Sequence, residues 1–298
     1  MARLSDLLIS GLDFGNNDIV DARPLGNSDD EIRLHRGNDI AFGGRGDDVF
    51  IDGGTDGDGN RDTGFDSMFG GRGADTFHVA DTNNFIDGGR GIDTVSFAGY
   101  SHSGVHPIDS NQGVFVDLAN TDQFENVENL VGSRFDDTLK GNELDNTISG
   151  GRGSDTLEGK AGNDNLNGGR GADTLIGGAG QDTLTGGSGA DVFRFGALSE
   201  SRVGSADVIT DFAAGTDRID LSAIDANGIL QGNGEFRFIG AAEFGGANGL
   251  ALPGSLRAYY DAETNQTVVQ ANTDFDGAAE MEIRLDGNVT LTAADFVL

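Results

Sequence analysis

Large apolar residues recur at every ninth position along much of this chain, and Gly and Asp dominate the positions between them. From residue 132 to 194, nine-residue units follow one another without a break. They start at Gly132, Gly141, Gly150, Gly159, Gly168, Gly177 and Gly186. Their eighth positions read Leu139, Ile148, Leu157, Leu166, Leu175, Leu184 and Phe193. Their sixth positions read Asp137, Asn146, Asp155, Asp164, Asp173, Asp182 and Asp191. The unit is Gly-Gly-x-Gly-x-Asp-x-U-x, with U large and apolar; the first two copies have lost glycines. The first ladder in chain order lies upstream of this one, with units starting at Leu25, Leu34, Gly43, Asp52, Arg61, Gly70, Val79 and Gly88. Its sixth-position carboxylates are Asp30, Asp39, Asp48, Asp66, Asp75 and Asp93. Its eighth positions read Ile32, Ala41, Phe50, Gly59, Met68, Phe77, Ile86 and Val95. A fixed period of this length fits neither one amphipathic helix nor one alternating strand; it marks a stacked repeat.

The unit dictates its own local structure. Its glycines permit a tight turn, and its last three residues form a short strand whose eighth side chain points inward. Two units close one coil, so the strands stack as two parallel sheets and the turns stack along both edges. The fold class expected is all-β: a right-handed parallel β-roll in two repeat blocks with a β-rich C-terminal cap. The expected segments are an N-terminal cap (1–24), a first roll block (25–96), connecting strands (97–131), a second roll block (132–194) and a capping and secretion-signal region (195–298). Alternation predicts strands over 113–119 and 124–131 in the connecting segment. In the last segment strands are expected near 207–212, 217–221, 235–240, 256–261, 266–271 and 281–285. Their expected role is to cover the open end of the roll.

Composition narrows the chemistry. Asp and Glu number 50 against 19 Lys and Arg, giving a net charge of −31. Nucleic acid is excluded as a partner, because phosphate neutralisation needs basic residues. No apolar stretch is long enough for a transmembrane segment. Cys is absent, which removes disulfides and thiolate metal sites. The partner that suits rows of carboxylates is a hard cation with flexible oxygen coordination, calcium rather than magnesium. In the stacked turns each sixth-position Asp is expected to face the turn of the unit two further along. A cation there takes carboxylates from both turns together with backbone carbonyls. The ligands expected are Asp30, Asp39, Asp48, Asp66, Asp75, Asp93, Asp137, Asp155, Asp164, Asp173, Asp182 and Asp191. Gly151, Gly153, Gly169, Gly171, Gly178, Gly180, Gly187 and Gly189 join them through their carbonyls. Pairing units two apart gives about five sites in the second ladder and about four in the first.

Several features leave alternatives open. The unit at Asp52 breaks the pattern, and its Asp56, Asp58, Asn60 and Asp62 resemble the alternating oxygen ligands of an EF-hand loop; it is either a separate cation site or a solvated loop. Asp207 and Asp211, with Asp217, either complete a calcium site at the end of the roll or serve turn and cap hydrogen bonds. His102 and His106 flank Gly104 and precede Pro107, which favours a loop over a metal site.

The nonapeptide ladder resembles the RTX, or haemolysin-type calcium-binding, repeat family. Residues 186–298 look like the C-terminal domain of serralysin-type secreted metalloproteases. That likeness is carried by Gly189-Ala190-Asp191-Val192-Phe193, Asp207-Val208-Ile209-Thr210-Asp211-Phe212 and Asp217-Arg218-Ile219-Asp220-Leu221-Ser222. The terminal Asp295-Phe296-Val297-Leu298 is similar to the acid-plus-apolar tail of proteins exported by the type I secretion machinery. The resemblance implies secretion, and an extracellular or cell-surface location. The protease signature is missing: none of His35, His78, His102 and His106 is followed by Glu, so no His-Glu-x-x-His occurs. There is no thiol nucleophile and no Gly-x-Ser-x-Gly elbow. The function expected is therefore that of a non-enzymatic, calcium-folded RTX protein engaging cell-surface or biofilm-matrix components. The competing expectation is a calcium-binding and export module of a larger protease, lipase or polysaccharide epimerase.

Overall fold

The computed structural model describes residues 8–10, 17–34, 37–52, 64–80, 82–98, 113–226, 234–245 and 252–298. Asp56, Asp58, Asn60, Asp62, His35, His102 and His106 lie outside them. Two compact units are present, Met1–Asn142 and Glu143–Leu298.

In the first unit, the strands Leu8–Ser10, Glu31–Arg33, Val49–Ile51, Thr76–His78, Thr94–Ser96 and Asn129–Val131 pair in parallel in that order. Facing them in the chain's alternation are Ile19–Asp21, Ile40–Arg45, Ser67–Arg72, Phe85–Arg90 and Phe124–Glu125, also parallel. Ile32, Phe50, Phe77, Val95 and Leu130 are successive register partners and are buried. Phe50 and Phe77 stack with ring centroids 4.7 Å apart, a favourable aromatic geometry.

The ladder departs from strict counting in nines at one place. Counting would pair Phe50 with Met68 and Ala41 with Gly59. Instead Phe50 pairs with Phe77 and Ala41 with Met68. The step between these partners is 27 residues instead of 18, and Met68 is completely buried at its position. The strand expected over 124–131 is also divided. Asn126 adopts a left-handed conformation, φ 50°, and turns the chain from one sheet (Phe124–Glu125) to the other (Asn129–Val131).

In the second unit, Thr147–Arg152, Asn165–Arg170 and Thr183–Ser188 form one parallel row. Thr156–Ala161, Thr174–Ala179 and Val192–Arg194 form the other. Most of these strands run for six residues, longer than the three expected. Pairing continues through stacked glycines such as Gly151 and Gly169, where the absence of side chains lets backbones approach closely. Leu157, Leu166, Leu175, Leu184 and Phe193 are fully buried.

The roll does not end at Arg194. Asp207–Ile209 and Arg218–Asp220 add one strand to each row, with Leu184 opposite Ile209 and Phe193 opposite Ile219. An antiparallel meander of Ser255–Asp261, Gln266–Asn272 and Met281–Asp286 then covers the edge, its last strand parallel to Asp207–Ile209. Phe296–Val297 pairs with Arg218–Asp220. Thr292 and Asp295 cap the turn before it reciprocally, and Asp295 also accepts the Gly215 amide at 2.6 Å. No helix among the described residues is long and apolar enough to cross a membrane.

Candidate metal centres

The turns bury carboxylates. Asp30, Asp39, Asp48, Asp66, Asp75 and Asp93 of the first ladder are all at most 3% exposed, as are Asp155, Asp164, Asp173, Asp182 and Asp191 of the second. Buried carboxylates demand hydrogen bonds or counter-ions. Half of that demand is met by backbone. Asp48 Oδ1 accepts the Asp30 amide at 2.9 Å, and Asp75 Oδ1 accepts that of Asp48 at 2.8 Å. Asp93 Oδ1 accepts the Asp75 amide at 2.7 Å. In the second unit the amides of Asn146, Asp155, Asp164 and Asp173 are taken at 2.7, 2.8, 2.8 and 2.9 Å by Asp164, Asp173, Asp182 and Asp191. Each of these Oδ1 atoms therefore reaches back to the turn one coil earlier, 18 residues away in every case but Asp75, which reaches 27 residues back to Asp48.

A second ladder, unforeseen in the sequence, runs the other way. In several units the polar residue just before the sixth position accepts an amide from the next coil. Asp29 Oδ1 takes the Asp47 amide at 2.9 Å, and Asp47 Oδ1 takes that of Ala74 at 2.8 Å. Asp145 takes the Asn163 amide at 2.7 Å, and Asn163 takes that of Gln181 at 2.9 Å. Adjacent Asx residues in the repeat carried the signal, since one can face each neighbour.

What remains is the second oxygen. Oδ2 of Asp48, Asp75, Asp93, Asp164 and Asp182, and Oδ1 of Asp30, are buried without a hydrogen-bond partner. They sit where side chains cannot go: a Cβ on Gly43 would overlap Asp48 Oδ2, and one on Gly159 would overlap Asp164 Oδ2 and lie 2.6 Å from the Gly177 carbonyl oxygen. Carbonyls point along the stack as well. Those of Gly151, Gly153, Gly169 and Gly171 face the bare α-carbons of Gly169, Gly171, Gly187 and Gly189 one coil on. The Gly178 and Gly180 α-carbons face the carbonyls of Lys160 and Gly162 in the same way. Buried carboxylate oxygens without a donor, beside glycine carbonyls such as that of Gly177, fit a hard cation.

Electrostatics agree. Burial, above all, pushes the carboxyls of Asp48, Asp93 and Asp182 up to about 6 and those of Asp75 and Asp164 up to about 7. Backbone hydrogen bonds pull them down, and neighbouring carboxylates add to the rise. Asp191 is raised for the same first reason.

The remaining candidates divide. Asp207 belongs to the row: it accepts the Asp182 amide at 2.9 Å, keeps a buried Oδ2 without a partner, and is pushed by burial up to about 8. Asp217 continues the other edge by accepting the Asp191 amide at 3.0 Å, but its Oδ2 takes the Ala213 amide at 2.7 Å. Asp211 instead clamps backbone, with Oδ1 on Gly186 N and Oδ2 on Gly187 N at 2.9 and 2.7 Å. Asp137 is likewise committed to Val114 N, Ser133 N and Ser133 Oγ at 2.7, 2.6 and 2.9 Å. Asp39 and Asp66 lie in a row where Asp66 Oδ1 takes the Asp39 amide at 2.8 Å and Asn84 Oδ1 that of Asp66 at 3.0 Å. Glu128 closes the other row on Asp93 N at 2.9 Å. Asn84 holds the sixth position of the unit at Val79, an amide where that row otherwise has carboxylates, whereas Glu128 stands beyond the last unit of the ladder, where the spacing is lost.

Comparison with known proteins places this geometry. The profile of the RTX calcium-binding nonapeptide repeat matches residues 26–59 and 61–95. These are calcium-binding repeats, and several copies are present. Serralysin A and serralysin C of Dickeya chrysanthemi are 32% and 33% identical over 106 residues, which cover 36% of this chain. The chain matches only 20% and 19% of the length of those two relatives. Among solved structures, the AlgE6R3 subunit of the Azotobacter vinelandii mannuronan C5-epimerase is 32% identical with a TM-score of 0.28, covering 56% of this chain and 80% of that one. The profile described as peptidase M10 serralysin C terminal matches residues 84–298, the greater part of the sequence. The chain belongs to the peptidase M10 serralysin C-terminal family.

Proposed function

We propose that this protein is exported by type I secretion and folds outside the cell by taking calcium into the turns of its roll. We propose further that the folded roll acts without catalysis, as an adhesive component of the cell surface or biofilm matrix. The observation that carries the reading is the row of buried carboxylate oxygens lacking donors: Asp48, Asp75, Asp93, Asp164, Asp182 and Asp207. Bound calcium supplies the positive charge that these oxygens lack. The chain's own residues do the rest: Oδ1 fixes each carboxylate on the neighbouring turn, and the glycines bring carbonyls within reach. The tail Asp295-Phe296-Val297-Leu298 supports the export route. The missing His-Glu-x-x-His supports a non-catalytic role. Deleting the gene and measuring biofilm mass tests the role; unchanged attachment and matrix would refute it.

A second reading is favoured by one finding. The family is the C-terminal portion of serralysins, and the matched stretch is about a fifth of those relatives. On this reading the chain is the calcium-binding and export module of a larger secreted enzyme. Mass spectrometry of the natural secreted species separates the two, since a product far larger than 30.9 kDa supports the module.

A further inference from the structure

We propose that the loop joining Gln266–Asn272 to Met281–Asp286 is a calcium site of its own, built from Asn272, Asp274, Asp276, Glu280 and the carbonyl of Ala278. It lies outside the repeat turns and stands or falls separately from them. Its sequence, Asn272-Thr273-Asp274-Phe275-Asp276-Gly277-Ala278-Ala279-Glu280, places oxygen-bearing side chains at first, third, fifth and ninth positions. Gly277 occupies the sixth with φ 80°, where a sharp turn is needed, and Ala278 offers a carbonyl at the seventh. This is the oxygen spacing of an EF-hand-type loop. It lacks the bidentate Glu at the twelfth position, which here is Ile283.

The geometry supports the pattern. One carboxylate oxygen from each of Asp274, Asp276 and Glu280 lies within 4.8 Å of the others. The loop spends the other oxygens on its own backbone. Asp274 Oδ1 accepts the Asp276 amide at 2.8 Å, Asp276 Oδ1 that of Ala278 at 2.7 Å, and Glu280 Oε2 that of Thr273 at 2.6 Å. Each carboxylate is thus held with one oxygen to offer.

An independent observation comes from Asn272. It is completely buried, and its Oδ1 has no hydrogen-bond partner. Its Nδ2 donates to the Ala278 carbonyl at 2.6 Å, so the amide is aimed into the loop. A half-turn of that amide exchanges its nearly isosteric oxygen and nitrogen. Oδ1 and the Ala278 oxygen then converge, an arrangement that repels without a cation and suits one with it. Metal-free, the amide N–H occupies the ion's role; metal-bound, the orphaned oxygen becomes a ligand.

Calcium is the ion expected, since the donors are flexible and all oxygen, whereas magnesium demands near-ideal octahedral geometry and keeps several of its waters. Without the twelfth-position Glu, affinity belongs in the extracellular range, ~10⁻⁴–10⁻³ M. Occupancy stiffens the hairpin next to Glu282, whose carbonyl accepts from Ser201 Oγ at 2.6 Å; that hydroxyl accepts the Asp207 amide at 2.8 Å. The site therefore reports to the end of the roll through this hydroxyl and through the pairing of Met281–Asp286 with Asp207–Ile209.

The test uses a local reporter in the full chain. The sequence has no Trp, and Phe275, 56% exposed within the loop, accepts one. Terbium is added to the Phe275→Trp protein in saturating calcium, and tryptophan-sensitised emission is read. Emission that higher calcium displaces, and that falls at least tenfold when Asp274→Asn and Asp276→Asn are added, supports the site. Absent emission, or emission indifferent to those two substitutions, overturns it. Circular dichroism of each variant confirms folding. Should the triple variant not fold, native mass spectrometry of Asp276→Asn alone decides: one calcium fewer than wild type supports the site, and equal stoichiometry overturns it.

Discussion

On the proposed function, Asp48, Asp75, Asp93, Asp164 and Asp182 divide two tasks between two oxygens: Oδ1 ties the turn to its neighbour whether or not metal is bound, and Oδ2 would serve a cation. Asp164→Asn separates them, because the amide oxygen can still accept the Asn146 N–H seen at 2.7 Å. It is expected to raise the calcium midpoint of folding roughly tenfold, as read by calorimetric titration. The glycines are less forgiving. Gly171 has φ 138°, and a Cβ there would overlap the Gly153 carbonyl oxygen; Gly171→Ala should lose calcium-induced folding at any accessible concentration, measured by circular dichroism. The carboxyl shifts set a pH dependence. A carboxyl whose folded pKa is raised holds its proton more readily folded than unfolded. Metal-free stability is therefore greatest below the ordinary carboxylate range and is lost as pH rises through the folded values. Those are about 6 for Asp48, Asp93 and Asp182, about 7 for Asp75 and Asp164, and about 8 for Asp207. In chelator, strand signal should grow as pH falls from 8 towards 5, and calcium should become unnecessary as protons replace it. A metal-free chain equally unfolded at both ends contradicts those shifts.

At the scale of the strand and turn, the repeat core is built from two files of eighth-position side chains, one on each row of strands. Leu166 is fully buried, with Ile148 and Leu184 as its register partners. Leu166→Ala should cost ~2–5 kcal/mol in denaturant unfolding with calcium present. The skipped unit gives a different prediction. Phe50 and Phe77 are partners 27 positions apart, against 18 for Phe77 and Val95. Deleting residues 53–61 restores the shorter spacing, so the shortened chain should fold with calcium at a midpoint within about twofold of the parent. The sequence made much of this level legible, and the exceptions have physical causes. Strict periodicity announced Leu139 through Phe193 as inward-facing and the sixth-position Asp as facing a neighbouring turn, since only a stacked coil uses both. It could not announce the 27-residue step from Ala41 to Met68, because counting in nines does not weigh one burial partner against another. Nor could it show that Asp137 and Asp211 would be consumed by backbone amides, a matter of turn geometry that the letter Asp does not encode. Asp207 was recognisable as a candidate, but its place after Asp182 depends on a longer connection than the repeat allows.

For the whole molecule, charge decides whether the roll closes. A chain of net charge −31 that buries rows of carboxylates resists folding by self-repulsion and by the desolvation of each group. About nine calcium ions would contribute about +18 and offset more than half of that charge. Metal binding is then folding free energy rather than an addition to it. On the proposed export route, low cytosolic calcium would keep the chain extended and the millimolar calcium outside would close the roll. The most direct measurement is far-UV circular dichroism of the full chain at pH 7.5 as calcium is raised from chelator to millimolar levels. Calcium-coupled folding predicts a cooperative gain of strand signal, reversed by chelator and not reproduced by equal magnesium. Strand signal already complete in chelator would contradict it.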